Sequence, residues 1–176
     1  MSGFKLLGMC GSLRAASYNR MLLAEAARLA PGSDLRMGDL NLPLYNGDDE
    51  DASGIPAAVQ ALADQIAAAD AVVIATPEYN QTYSGALHNA LDWISRTEGT
   101  PWRNKPVAIM SATSGRAGGA RAQYALRLAL NQFRPHLLAG PEVMVAATEK
   151  AFDEAGQVTG ALYLRNLTEL MAGLQR

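Results

Sequence analysis

The sequence is poor in the residues that build disulfide frameworks, metal centres and nucleic-acid surfaces. Cys10 is the single cysteine, so no intramolecular disulfide can form and the spacing of a cysteine zinc site is missing. The formal net charge is only -2 and the arginines are scattered, which leaves no basic patch to hold a nucleic-acid backbone. We therefore expect no metal, no nucleic-acid partner, and a reducing, cytoplasmic location.

Long hydrophobic runs are missing as well. Residues 1–10 lack the apolar core of a signal peptide, and the most apolar internal stretch, residues 66–75, is interrupted by Asp70. Neither segment has the length and apolarity that a membrane span needs, so we expect no membrane partner. A length of 176 residues is enough for one full hydrophobic core, and the sequence predicts a single domain over residues 1–176.

What is present is an alternation of two patterns. Short apolar runs bounded by turn residues predict five strands, at residues 4–10, 34–37, 71–76, 107–112 and 137–145. Segments with an apolar face predict five helices, at residues 20–30, 56–69, 84–96, 119–133 and 160–174. Because such alternation is typical of βαβ units, we expect a parallel sheet covered by helices on both faces.

The predicted fold is therefore α/β, a three-layer α/β/α sandwich around a five-stranded parallel sheet. The pattern alone leaves the strand order open, but a phosphate-type loop after the first strand favours the flavodoxin-like order 2-1-3-4-5. Residues 40–54 form the longest segment without periodicity and are predicted to be a surface loop. Its acidic run, Asp48 to Asp51, is interpreted as solvated rather than metal-binding.

The loop after the first strand carries phosphate-binding chemistry. Ser12, Arg14, Ser17 and Asn19 bring hydroxyls, a guanidinium and an amide together just before a predicted helix, whose N-terminus favours an anion. The loop has neither the glycine triplet of a dinucleotide fold nor the Gly-Lys-Ser/Thr of a nucleoside triphosphatase. A single terminal phosphate is the predicted guest. The alternative is a polar turn in which Ser17 or Asn19 only caps the helix.

The loop after the third strand has a different character. Pro77 breaks strand pairing, so that Glu78, Tyr79 and Asn80 turn over the carboxyl edge of the sheet and offer backbone groups to a flat polar ring such as a flavin. Tyr79 would add an apolar wall. The alternative is an ordinary strand-to-helix connection in which Ser84 caps a helix that merely packs.

A third loop of small residues follows the fourth strand, at the same predicted edge. It begins with Ser111, Ala112 and Thr113 and continues through several glycines, which allow a close approach between backbone and ligand. Arg116 in this loop is interpreted either as a contact for the phosphates of a pyridine nucleotide or as a solvated side chain.

Hydrolytic chemistry is not supported. His88 and His136 are the only histidines, and the sequence has no Gly-x-Ser-x-Gly nucleophile elbow. We interpret His88 as a surface residue, Asp92 as a solvated or paired carboxylate, Trp93 as part of the core or of a subunit interface, and Cys10 as a buried packing residue. No side chain is predicted to be catalytic.

Five groups of motifs follow one another along the chain: Gly11-Ser-Leu-Arg14, Ser17 with Asn19, Thr76-Pro-Glu-Tyr-Asn80, Asn89-Ala-Leu-Asp-Trp93 and Gly118-Gly-Ala-Arg121. Through these motifs the sequence resembles the NADPH-dependent FMN reductase family over nearly the whole chain. Within that family, it is most similar to bacterial NAD(P)H:quinone reductases, which are also described as chromate reductases. The resemblance implies a flavodoxin-like fold, FMN as cofactor, NAD(P)H as co-substrate, and a homodimer or homotetramer.

The resemblance also implies roles for the loop residues. It assigns the FMN phosphate to Ser12, Arg14, Ser17 and Asn19, and the border of the flavin ring to Pro77, Glu78, Tyr79 and Asn80. Ala112 stands where close relatives tend to have a serine, which leaves the hydroxyl contact of the third loop to Ser111, to Thr113 or to the backbone. Residues 81–83 also depart from the family pattern and would reshape the acceptor pocket.

The predicted activity is a two-step exchange, in which NAD(P)H reduces bound FMN, leaves, and is replaced by a quinone or a similar acceptor. Chromate, ferric and azo compounds are further expected acceptors, and a ping-pong rate law follows. The alternatives are a flavodoxin-type FMN electron carrier without its own NAD(P)H turnover, and a flavin-free scaffold on the same fold.

Overall fold

The computed structural model describes residues 3–176. In these residues the chain folds into a sheet with helices on both faces. The strands are β1 Phe4–Cys10, β2 Ser33–Gly38, β3 Ala71–Thr76, β4 Pro106–Ala112, β5 His136–Leu137 and β6 Val143–Val145. The helices are α1 Tyr18–Arg28, α2 Gly47–Ser53, α3 Ala57–Ala68, α4 Gly85–Ile94, α5 Ala120–Leu130, α6 Thr148–Ala151 and α7 Ala161–Leu174, and a 3₁₀ turn follows α5 at Asn131–Phe133.

All strand pairs of the sheet are parallel, in the order β2-β1-β3-β4 followed by β5 and β6. This confirms the flavodoxin-like order 2-1-3-4-5. Every residue of β3 is buried, as expected for a central strand that packs against helices on both faces. The carboxyl ends of β1, β3 and β4 lie side by side, with Cys10 opposite Ala75 and Thr76 opposite Ser111.

The fifth strand position is interrupted, and the prediction of one strand over residues 137–145 is wrong in this respect. β5 pairs with the start of β4, β6 pairs with its end, and residues 138–142 leave the sheet between them. The interruption contains Gly140 and Pro141, and proline cannot donate a ladder hydrogen bond. The chain therefore regains the sheet only at Val143.

Two hydrophobic clusters sandwich the sheet. One contains Leu22 and Leu23 of α1 with Leu167 and Leu170 of α7. The other contains apolar residues of α3, α4 and α5, among them Leu62, Leu87 and Leu126. Burial of one such leucine side chain contributes about 1.5–3 kcal/mol, and the spacing of these residues along each helix explains why the sequence pattern identified the helices.

The segment 40–54 is not the irregular loop that the sequence predicted, because it contains the short helix α2. Asn46 caps this helix through its side chain, and Gly54 ends it at a φ of 75°. None of the seven residues of α2 is buried, so the helix has no apolar periodicity to detect. Its first turn carries Asp48, Asp49 and Glu50, which interact favourably with the positive end of the helix dipole.

Polar contacts hold this segment against α4. Glu50 accepts hydrogen bonds from Tyr45 Oη at 3.0 Å and from Arg96 Nε at 3.0 Å, and these bonds raise the pKa of both Tyr45 and Arg96. Trp93 donates through Nε1 to the Pro43 carbonyl at 2.8 Å. Its side chain is almost completely buried, so of the two alternatives for Trp93, core or subunit interface, the structure shows the core.

No helix within residues 3–176 combines the length and the apolar character that crossing a membrane would need.

Candidate functional site

Three loops meet over the carboxyl ends of β1, β3 and β4 and enclose a cavity of about 250 Å³. Nine of the eleven predicted site residues line it, namely Ser12, Arg14, Ser17, Asn19, Pro77, Glu78, Tyr79, Ala112 and Thr113. The two others, Asn80 and Ser111, are not part of the lining. The structure thus brings together residues that are up to about a hundred positions apart in the sequence, because parallel strands end at one edge.

The first loop, between β1 and α1, is built from buried hydroxyls. Ser17 caps α1, and its Oγ accepts a hydrogen bond from the Asn19 backbone N–H at 3.2 Å. Ser12 is buried as well, and its Oγ accepts from the Arg14 N–H at 3.4 Å. The side chain of Arg14 is exposed at the mouth of the cavity. A helix N-terminus, two hydroxyls and a guanidinium therefore face the same space, which favours an anion.

The side chain of Asn19 forms a bridge between the first and third loops. Its Nδ2 donates to the Ala112 carbonyl at 2.9 Å, and its Oδ1 accepts from the Ala112 N–H at 3.0 Å. The side-chain amide of Asn19 thus bonds both the N–H and the C=O group of Ala112, as a neighbouring strand does in a β-ladder. The amide that the sequence analysis assigned to a phosphate is engaged here in holding β4 against α1.

The second loop, between β3 and α4, contains a tight turn. Tyr79 and Thr82 exchange two backbone hydrogen bonds, of 2.9 and 3.1 Å, and the residues between them, Asn80 and Gln81, have φ values of 50° and 67°. Two successive left-handed residues define a type I′ turn. Asn80 lies at its tip, away from the cavity lining, whereas Tyr79 lines the cavity and is 50% exposed.

Glu78 connects the second loop to α5. Its carboxylate accepts hydrogen bonds from the backbone N–H groups of Arg121 at 3.1 Å and of Ala122 at 3.4 Å, and Arg121 Nη1 lies at 3.5 Å. The residue that precedes α5 is Gly119, which has no side chain to cap the helix. Glu78 therefore supplies the missing cap from another loop, with the sign of charge that a helix N-terminus favours.

The third loop, between β4 and α5, lies close to β6. Gly118 and Gly119 have φ values of 59° and 91°, and a Cβ atom at Gly118 would lie 2.3 Å from the Met144 carbonyl oxygen. Only glycine fits this conformation and this approach. Ser111 is fully buried, and its Oγ donates to the Gly118 carbonyl at 2.5 Å. Of the two hydroxyls considered for this loop, Ser111 and Thr113, it is therefore Thr113 that lines the cavity.

Sequence reasoning missed further lining residues. Thr148 and Glu149 of α6 complete the cavity wall. Thr148 is buried, and its N–H donates to the Thr113 carbonyl at 3.4 Å. The available signal was topological, since β6 ends at the same edge as β4 and whatever follows it must face the same crevice. Ala16, Tyr18 and Ser114 also line the cavity.

The histidine and acidic residues of α4 lie outside this lining. Nδ1 of His88 is 2.6 Å from the Tyr83 hydroxyl, and its Nε2 is 3.6 Å from Asp92 Oδ1. Burial, and secondarily Asp92, raise the pKa of Tyr83. The exposure of the His88 side chain confirms its interpretation as a surface residue, and the Asp92 carboxylate is about half exposed beside it, which agrees with a solvated or paired carboxylate.

The donor set of the cavity fits FMN. The hydroxyls of Ser12 and Ser17, the Arg14 guanidinium and the N-terminus of α1 suit one phosphate dianion. The turn after Pro77 and the third loop offer backbone groups and the Tyr79 ring at the other side of the same space, as a flat polar ring requires.

Several known proteins are similar to this chain in sequence and fold. A family model described as NADPH-dependent FMN reductase matches residues 4–150. An NAD(P)H-dependent FMN reductase of Pseudomonas aeruginosa is 47% identical over 156 residues, covering 88% of this chain and 84% of that protein. A quinone reductase of Escherichia coli is 39% identical over 169 residues, covering 93% and 89%. The solved structure of FerB, a flavoenzyme NAD(P)H:(acceptor) oxidoreductase from Paracoccus denitrificans, superposes with a TM-score of 0.86 at 33% identity, covering 97% and 94%.

The fold, the site and these similarities define an oxidoreductase that uses FMN as its cofactor and NAD(P)H as its electron donor. Within that class, the chain belongs to the NADPH-dependent FMN reductase family. The resemblance identified from the sequence motifs is thereby confirmed.

Proposed function

We propose that this enzyme reduces quinones with electrons from NAD(P)H, and that FMN lies in the cavity between the three loops. The observation that carries the proposal is the convergence of phosphate-type donors and an exposed backbone ledge in one cavity. Relatives of closely similar length are named quinone reductases, which supports a quinone as the acceptor. Chromate, ferric and azo compounds are further acceptors in this proposal.

Different loops of the chain would contact different parts of the cofactor. Ser12, Arg14 and Ser17, with the N-terminus of α1, would hold the phosphate, while the segment from Pro77 to Tyr79 and Thr113 would border the ring. The chemistry that FMN supplies there is acceptance of a hydride from NAD(P)H and delivery of the electrons to an acceptor. The role of the protein is to orient the reactants and to exclude competing reactions, and no side-chain acid or base is required.

The exposure of the ring side supports a ping-pong order. Tyr79 is half exposed and Glu78 is partly exposed, so the cavity is open to solvent on this side. Donor and acceptor would use that opening in turn: NAD(P)H, a proton and a quinone yield NAD(P)⁺ and a hydroquinone. A shallow opening also favours flat acceptors of varied structure.

Steady-state kinetics test this proposal. The purified chain, loaded with FMN and supplied with NADH or NADPH against a panel of quinones, should oxidise the nicotinamide without any partner protein. Double-reciprocal plots should give parallel lines. Intersecting lines would mean that both substrates bind together, and a lack of quinone turnover with either nicotinamide would reject the acceptor assignment.

We also propose a cytoplasmic homo-oligomer, either a dimer or a tetramer, in which a second copy covers part of α5. Tyr124 and Leu128 are 55% and 74% exposed and lie one turn apart on the same helix face, which is where apolar surface would be buried by association. The free, buried Cys10 is compatible with a reducing compartment. Light scattering on the wild type and on Leu128→Glu tests the oligomer, and a monomeric wild type would contradict it.

A further inference from the structure

Gln123 is a fully buried amide in the apolar face of α5. It is 0% exposed, and its neighbours on that face, Ala122, Leu126 and Leu130, are fully buried apolar residues. A buried polar side chain disfavours folding unless its hydrogen bonds are satisfied. The Oε1 atom of Gln123 has no partner within residues 3–176. The side-chain hydrogen bonds of Gln123 within these residues therefore all come from its Nε2 group.

The Nε2 group of Gln123 joins two strands beneath the third loop. It donates to Ser111 Oγ of β4 at 2.8 Å and to the Val143 carbonyl of β6 at 2.8 Å. Ser111 Oγ in turn donates to the Gly118 carbonyl at 2.5 Å. A continuous chain of hydrogen bonds thus runs from β6 through Gln123 and Ser111 into the loop that contains Gly118.

This chain of bonds acts where the backbone has little freedom. A Cβ atom at Gly119 would lie 2.7 Å from Ser111 Oγ, and one at Gly118 would lie 2.3 Å from the Met144 carbonyl. The loop is therefore pressed against both β4 and β6. Because the fifth strand position is interrupted, β6 pairs with β4 over only three residues. Two further main-chain bonds continue this pairing, from the Thr113 N–H to the Val145 carbonyl at 2.9 Å and from the Thr148 N–H to the Thr113 carbonyl at 3.4 Å. The amide of Gln123 adds a side-chain bond where the strand is short.

We propose that Gln123 is a positioning residue for the cofactor: its hydrogen bonds to β4 and β6 set the distance of the third loop from the cavity and so fix Thr113 and Ser114, which line it. This inference rests on the proposed placement of FMN. Gln123 does not touch the cavity and acts through Ser111 and Gly118.

The test compares Gln123→Met with Leu130→Ala. Methionine keeps the length and volume of the side chain but removes both donor bonds, whereas Leu130→Ala destabilises the same helix without touching this network. We expect Gln123→Met to weaken FMN binding by about 10-fold, measured by quenching of flavin fluorescence, which corresponds to about 1.4 kcal/mol. The FMN-free variant should also show faster amide hydrogen exchange at residues 113–118, and the midpoint potential of bound FMN should shift.

Leu130→Ala should lower the melting temperature and leave FMN affinity within about twofold of wild type, because distant sites act independently. If Gln123→Met binds FMN like the wild type, or loses affinity no more than Leu130→Ala, Gln123 is a packing residue only and the proposal is wrong. Unchanged exchange at residues 113–118 would reject it as well.

A second variant covers the case in which Gln123→Met does not fold. Ser111→Ala breaks the same chain of bonds with a small change in volume, and it should weaken FMN binding and speed exchange in the same loop. Wild-type behaviour of this variant would overturn the proposal. Hydrogen exchange in the FMN-free protein reports on the third loop alone. If FMN bound elsewhere, Arg14→Ala would not reduce FMN affinity, but the faster exchange in Gln123→Met would still be observed.

Discussion

The first and second loops open onto the same cavity but are held in opposite ways. In the first, Ser12, Ser17 and Asn19 are at least 95% buried, and each makes a hydrogen bond that fixes the backbone. In the second, Tyr79 is half exposed and sits at the base of a left-handed turn. In the proposed placement of FMN, the phosphate would lie at the buried first loop, which is the rigid end of the site. Donor and acceptors of different shape would arrive at the exposed second loop, which is the adaptable end.

The largest effect is expected at the rigid end, from Asn19→Ala. The substitution leaves the buried N–H and C=O groups of Ala112 without partners, and each such group costs about 1–3 kcal/mol. We expect the free energy of unfolding to fall by about 2–4 kcal/mol in denaturant titrations. Asn19→Asp keeps the acceptor for the Ala112 N–H but places a carboxylate oxygen against the Ala112 carbonyl, so it should lose at least as much stability as Asn19→Ala. A loss within the error of the titration would show that the bridge to Ala112 does not stabilise the fold.

Arg14→Ala should separate binding from stability. The guanidinium is exposed, so its removal should leave the melting temperature of the FMN-free protein unchanged. A charge-assisted bond to phosphate contributes about 1.5–3 kcal/mol, so FMN affinity should fall by about 10- to 100-fold. Arg20→Ala is the matched control, since Arg20 is exposed in the first turn of α1 outside the cavity lining. Equal losses in both variants would indicate a general charge effect.

Glu78→Ala tests how the adaptable end is anchored. Loss of the cap on α5 should lower the free energy of unfolding by about 1 kcal/mol, while Glu78→Gln, which retains an acceptor oxygen, should lose only about 0.3–1 kcal/mol through the dipole interaction. The measurement is thermal unfolding of the FMN-free variants. If glutamine is as harmful as alanine, the charge matters more than the hydrogen bonds.

The smallest effect is expected from Gln81→Gly. A left-handed conformation at a non-glycine residue costs about 1–2 kcal/mol, and glycine removes that strain while it increases the entropy of the unfolded chain. The net gain in stability should be at most about 1 kcal/mol. Asn80→Gly should gain less, since asparagine tolerates this conformation better. A loss of stability in Gln81→Gly would show that the Gln81 side chain makes compensating contacts.

The sequence predicted the elements that have strong periodicity and missed those that do not. The apolar run of β3 and the apolar faces of α4 and α5 identified them correctly. The helix α2 was not predicted because none of its residues is buried, so it has no apolar face. Asn46, the acidic first turn and Gly54 are nevertheless signals of helix boundaries. The prediction of one continuous strand over residues 137–145 is wrong because Gly140 and Pro141 break the apolar run and take the chain out of the sheet between β5 and β6.

The candidate site shows the same division. Strand ends and turn residues placed nine of the predicted residues in one cavity, because local patterns determine where a loop begins. They could not show what each side chain bonds. The pairing of Asn19 with Ala112 and of Glu78 with α5 spans 93 and 43 or more residues, and such contacts depend on how the helices pack rather than on any local pattern.

Cys10 gives the first loop an intrinsic reporter. Its thiol is only 4% exposed, donates to the Ser12 carbonyl at 3.3 Å and lies 4.0 Å from Ser17 Oγ. An alkylating reagent can reach this sulfur only while the chain around it is transiently open. Because the protein contains no other cysteine, the rate at which the wild-type enzyme is alkylated reports on the opening of the first loop. A ligand that stabilises the closed loop should lower this rate.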